Sequence, residues 1–124
     1  LKIFILKIKL LDSIVNNFEK KTTIEIAIVT LDSNYTNKIE FDNYTLGLSN
    51  YWGVGKKDKE NGILIGISKS LRKIRIQNGY GIEKILSDSE TKVIVDKSFI
   101  PNFKKDLFFE GTFEGVLKLM EKVE

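Results

Sequence analysis

Histidine and cysteine are both absent from this chain of 124 residues. Without cysteine there is no disulfide framework and no thiolate chemistry. Without histidine, a serine–histidine triad, an imidazole general base and an imidazole-ligated zinc site are all excluded. Any metal must be held by oxygen, which favours Ca²⁺ or Mg²⁺ over zinc or copper. Proline occurs once. No apolar run reaches about 18 residues, so no transmembrane segment is expected. Charge of one sign is not concentrated either. The net charge of +3 is mild and the lysines are dispersed, so no nucleic-acid partner is expected. Repeats, low-complexity tracts and linkers are also missing.

Hydrophobic residues make up 42% of the chain and charged residues 30%, the balance of a soluble globular domain. The length suits one domain over residues 1–124 with a core that needs no staples. The opening LKIFILKIKLL is apolar with lysines, as a signal-peptide core is, but it has no small-residue cleavage site and runs into a helical pattern. It reads as the start of the first helix. A cytoplasmic chain is the expectation as the sequence stands, and an exported or envelope-associated one if a leader was removed. Oligomeric state is not readable.

Leu1, Phe4, Ile8, Leu11, Val15 and Phe18 recur at helical spacing, which predicts a helix ending near Lys21 at Thr22 and Thr23. IEIAIVTL, residues 24–31, is β-branched and apolar after Glu25 and predicts a buried strand. Asn37 with Glu40 three residues later predicts an N-cap, and Phe41, Tyr44, Leu48 and Trp52 a second helix ended by Gly53 and Gly55. ILIGIS, residues 63–68, and IRIQN, residues 74–78, predict two strands in a hairpin, with the first and second strands parallel. Ser87 and Glu90 form a capping box for a helix carrying Val93, Ile94, Lys97 and Ile100, stopped by Pro101. A last helix starts near Asp106 with a stripe of Phe109, Phe113, Val116, Leu117 and Met120. This order predicts an α/β fold, a three-layer α/β/α sandwich around a small mixed β-sheet.

The hairpin places the beginning of the second strand beside the end of the third. The segments GVGKKDKENG and NGYGIEKILSD therefore meet at one end of the sheet. Both are rich in glycine, which lets a backbone turn carbonyls inward. Together they bring Asp58, Glu60, Glu83 and Asp88, with Asn61, to that end. Six to eight oxygens, many of them carbonyls, are what Ca²⁺ requires. A Ca²⁺ (or Mg²⁺) site on Asp58, Glu60, Asn61, Glu83 and Asp88 is one expectation. Solvated surface turns are the plain alternative, and no EF-hand spacing is present. Asp88 serves a helix N-terminus in any case.

WGVGKKDKENGILIGIS, KIRIQNGYGIEKILSDSE and FIPNFKKDLFFEGTFEGVLKLM together resemble the TPM domain family, which includes thylakoid-lumen proteins of photosystem II repair and many bacterial envelope proteins. The resemblance covers roughly residues 11–124. It implies an α/β/α sandwich with a divalent-cation site in acidic loops at one end of the sheet. Phosphatase activity has been attributed to plant members. The matching positions here are Trp52, Gly53, Gly55, Glu60, Asn61, Gly62, Arg75, Gly79, Tyr80, Gly81, Glu83 and Asp88, with Glu60 where many members have Asp.

Three functions follow from these readings. The first is a cation-binding module, accessory or regulatory. The second is a metal-dependent acid phosphatase acting on phosphomonoesters, with Arg75 clamping phosphate and Asp88 at the reacting centre. The third is an adaptor docking a protein partner through exposed aromatics such as Phe108. Arg75 reads equally as a stem covering the sheet, Tyr80 as core, and the Lys69, Arg72, Lys73 tip as a solvated turn. Gly53-Val54-Gly55 precedes a strand, so it is not a dinucleotide fingerprint.

Overall fold

The computed structural model describes residues 2–52 and 61–124, and the side chains of residues 7–51 and 61–124. The fold is α/β. Its elements run α1 (Lys2–Thr22), β1 (Glu25–Thr30), α2 (Phe41–Trp52), β2 (Gly62–Ser68), β3 (Lys73–Asn78), α3 (Tyr80–Glu83), α4 (Asp88–Ile94), a π-helical turn (Val95–Phe99), α5 (Ile100–Phe103) and α6 (Phe108–Val123). The chain forms two compact units. One joins Leu1–Ile24 to Leu86–Glu124, and the other is Glu25–Ile85.

The sheet belongs to the second unit. Its strand order is β1-β2-β3, with β1 parallel to β2 and β3 antiparallel to it. All seven residues of β2 are buried, as a central strand covered on both faces requires. This is why ILIGIS shows no alternation. α2 reaches the face that carries Gly66. A Cβ there would stand 2.9 Å from Thr45 Oγ1 and 3.0 Å from its methyl carbon, so glycine is what lets the helix approach. Thr45 is fully buried, and its hydroxyl donates to the Phe41 carbonyl at 2.9 Å. The hairpin closes over residues 69–72, with the Leu71 N–H donating to Ser68 Oγ at 3.1 Å and Arg72 at φ 52°.

The first unit is helical. α6 packs on the π-helical turn and α5 and touches α4. α1 runs beside α6 in the same direction. Lys7 pairs with Glu110 at 3.5 Å and Lys21 with Glu124 at 2.9 Å, so the same fourteen-residue step, about 21 Å of helix, separates the two pairs on each helix. These half-exposed pairs report register and contribute little stability. α1 ends where Thr23 takes φ 66°, with its N–H on the Glu19 carbonyl at 2.7 Å.

Two expectations fail here for identifiable reasons. Pro101 does not stop a helix. The Ile100 N–H reaches back to the Val95 carbonyl, a step of five residues, and Pro101 then stands at the start of α5. The wider turn carries the chain past a ring that would clash inside a regular helix and that lacks an N–H. The last helix also begins two residues later, and its buried face keeps Val116 and Met120 of the expected stripe but not Leu117. Asp106, at φ 61°, cannot be helical, and α6 starts at Phe108. Its buried positions are Gly111, Thr112, Gly115, Val116, Leu119, Met120 and Val123, whereas Leu117 is 42% exposed. Phe99 and Phe103 fill the space that the two glycines leave.

Candidate functional site

One end of the sheet gathers three chain segments. Ile63 pairs with Asn78, and just beyond that pair the Gly79 N–H donates to the Gly62 carbonyl at 2.7 Å. On the other side of β2, Glu25 pairs with Gly62, and its N–H donates to the Asn61 carbonyl at 3.0 Å. Asn61, Asn78, Gly79 and Glu25 therefore stand at the same end, as the hairpin requires. The carboxyl end of β1, leading to Asp32, is at the other, where the Leu31 N–H donates to the Ile67 carbonyl at 2.8 Å.

Gly79 has extended backbone, and its carbonyl accepts from the N–H groups of Ile82 and Glu83, both at 3.0 Å. That winds the single turn of α3, pinned by the buried side chain of Ile82. Glu83 ends this turn and is exposed. Tyr80 is 63% exposed, with Lys84 Nζ 5.3 Å from its ring centroid, so it is not core.

Asp88 belongs to the first unit, as the opening residue of α4, and is exposed. The capping box beside it is complete. Ser87 Oγ accepts from the Glu90 N–H at 3.1 Å, and the Ser87 N–H donates to Glu90 Oε1 at 3.0 Å. The Ser87 backbone N–H, and after it the Ser87 side chain, hold the Glu90 carboxyl below the ordinary glutamate range by bonding its charged form. Asp58 and Glu60, with Gly53 and Gly55, lie outside the described residues, as does the side chain of Trp52.

Arg75 pairs with Gly66 in mid-strand and is exposed, on the sheet face that α2 covers. It lies three residues, about 10 Å, before Asn78 along β3. Phe108 is half-buried and stacks on Phe103 with ring centroids 4.9 Å apart. The exposed aromatics among the described residues are Tyr35, Tyr51 and Tyr80.

Glu25 is the carboxylate that sequence reasoning passed over. It is half-buried at the gathered end, and the signal for it was available, because parallel pairing puts the start of β1 beside the start of β2. Among the described residues, no three or more Asp and Glu side chains come together closely enough to hold a metal ion. The donors at this end are all oxygen: the Glu25 and Glu83 carboxylates and the Asn61 and Asn78 amides. No helix among the described residues is long and apolar enough to cross a membrane.

A hairpin added to a parallel pair, with a glycine-opened helical turn at the gathered end, defines a small mixed-sheet α/β class. Within that class the chain belongs to the TPM domain family, whose pattern matches residues 7–122 and so runs through both units. Among the solved structures similar to it are two bacterial proteins. The N-terminal domain of a protein from P. gingivalis is 28% identical with a TM-score of 0.83, over 94% of this chain and 73% of that one. The BA42 protein of the psychrophilic bacterium Bizionia argentinensis is 20% identical with a TM-score of 0.79, over 94% of this chain and 78% of that one. No curated protein matches this chain.

Proposed function

We propose that this TPM domain is an accessory or regulatory module that binds a divalent cation, Ca²⁺ in preference to Mg²⁺, at the gathered end of the sheet. The observation that carries the reading is the Gly79-to-Gly62 hydrogen bond, which closes the hairpin and fixes the Asn61 and Gly79–Glu83 segments side by side. Hard oxygen donors of mixed carboxylate and amide type suit Ca²⁺, which tolerates irregular shells better than Mg²⁺ does. The described carboxylates are too few for a closed shell, so the reading requires oxygens from the preceding segment. Asp58 and Glu60, three residues and one residue before Asn61 in the chain, are the nearest in sequence.

Calorimetry with CaCl₂ on the whole chain tests this. Saturable heat, a raised melting temperature and a loss of affinity in Glu83→Gln and Glu60→Gln are the expected results. Absence of both heat and thermal shift at millimolar Ca²⁺ overturns it. The same samples decide the catalytic alternative. An accessory module leaves a generic phosphomonoester intact, whereas turnover that EDTA and Arg75→Ala both abolish replaces it with a metal-dependent phosphatase.

A further inference from the structure

At the opposite end of the sheet a surface groove of about 440 Å³ lies between the β1–α2 loop and the start of α2. Tyr35, Thr36, Asn37, Glu40, Asn43 and Tyr44 line it. The connection that leaves the carboxyl end of a parallel strand is where α/β sheets ordinarily place ligands. From this lining we infer that the groove binds a neutral pyranose sugar.

Its chemistry points to that class by elimination. No lysine or arginine lines it and a glutamate does, which disfavours phosphates, nucleic acids and other anions. Amides, a hydroxyl and a carboxylate make up the rest of the lining, which disfavours a wholly apolar ligand. What remains is a molecule with hydroxyl groups to bond and a C–H face to stack. Tyrosine is suited to such a face, since its ring is flat, stiff and tolerant of water at the rim.

The loop is also held in shape before any ligand arrives. Asp32 Oδ1 accepts from the Asn34 N–H at 2.9 Å, and the Tyr35 N–H donates to the Asp32 carbonyl at 3.1 Å. Asn37 Oδ1 accepts from the N–H groups of Ile39 at 3.0 Å and Glu40 at 2.9 Å. That leaves the Asn37 amide NH₂, a double donor, for a sugar hydroxyl. Glu40 supplies acceptors, and Asn43 supplies both donors and an acceptor. Prior ordering of the loop removes part of the entropy that binding would otherwise cost.

The test is a two-dimensional ¹⁵N–¹H titration of the whole chain with N-acetylglucosamine and with maltose. Saturable shifts at millimolar sugar, confined to residues 35–44 and unaffected by EDTA, are expected. Tyr35→Ala and Asn43→Ala, each with an otherwise unchanged spectrum, weaken binding by about tenfold or more. Failure of both sugars to shift these residues overturns the inference, and so does undiminished affinity in both variants.

Discussion

Replacing Gly115 with alanine inserts one methyl group against a ring that has nowhere to go. A Cβ at position 115 would lie 2.1 Å from one carbon of the Phe99 ring and within 2.4 Å of two others. Phe99 is fully buried, so the ring cannot swing into solvent. Alanine improves helix propensity over glycine by up to about 1 kcal/mol. Overpacking a filled core costs typically about 1–3 kcal/mol, and this overlap belongs at the top of that range. The net expectation is a loss of about 2 kcal/mol, which at about 4 °C per kcal/mol lowers the melting temperature by about 8 °C. Gly47→Ala is the control. It sits in α2 with nothing within 4 Å of the added carbon, so propensity acts alone and stability rises by up to about 1 kcal/mol. Urea and thermal denaturation of both variants give the comparison. In a Phe99→Leu background the Gly115→Ala penalty should shrink, with a coupling of about 0.5–3 kcal/mol. If Gly115→Ala matches or exceeds Gly47→Ala in stability, the reasoning about this contact is wrong.

Two further outcomes follow from local geometry. Thr23, a β-branched residue at φ 66°, holds a left-handed conformation that glycine adopts without strain. Thr23→Gly should therefore gain about 0.5–1 kcal/mol, read as a higher urea midpoint, once the added freedom of the unfolded chain is subtracted. Glu90 has its folded-state pKa lowered from the ordinary value of 4.5. Its contribution is then fully present above the unfolded value and is lost as pH falls through the lower folded value. Glu90→Gln should flatten that part of the stability profile, measured as urea midpoint against pH, and an unchanged acid limb would contradict the assignment.

Much of the fold could be read from particular residues. The β-branched run at 24–31, the wholly apolar ILIGIS and the alternating IRIQN gave three strands and their pairing, because central and edge strands bury different numbers of faces. Ser87 with Glu90 marked a helix start, because a capping side chain satisfies orphan N–H groups wherever the helix later packs, whereas Asn37 closes the turn ahead of α2, which itself begins at Phe41. What escaped was information held by the partner surface. The inward face of α6 is set by where Phe99 and Phe103 need room, and a stripe of large apolar residues is blind to that. The widened turn before Pro101 is likewise a solution found jointly with α6. At the candidate site, the gathered end was legible from the hairpin alone. Glu25 was missed because a charged residue opening a strand looks incidental until the register shows its neighbour.

The glycines of α6 and the rings of the preceding segment form two matched sets, Gly111 with Phe103 and Gly115 with Phe99, each set four residues apart along the chain. Such sets constrain how the domain diverges. A relative that carries a methyl or larger side chain at either glycine position must have shed ring volume opposite it, or must have moved the whole final helix outward. Substitution at these four sites should therefore be correlated across descendants, and an unlinked change at one of them would mark a lineage in which the helices have been re-spaced.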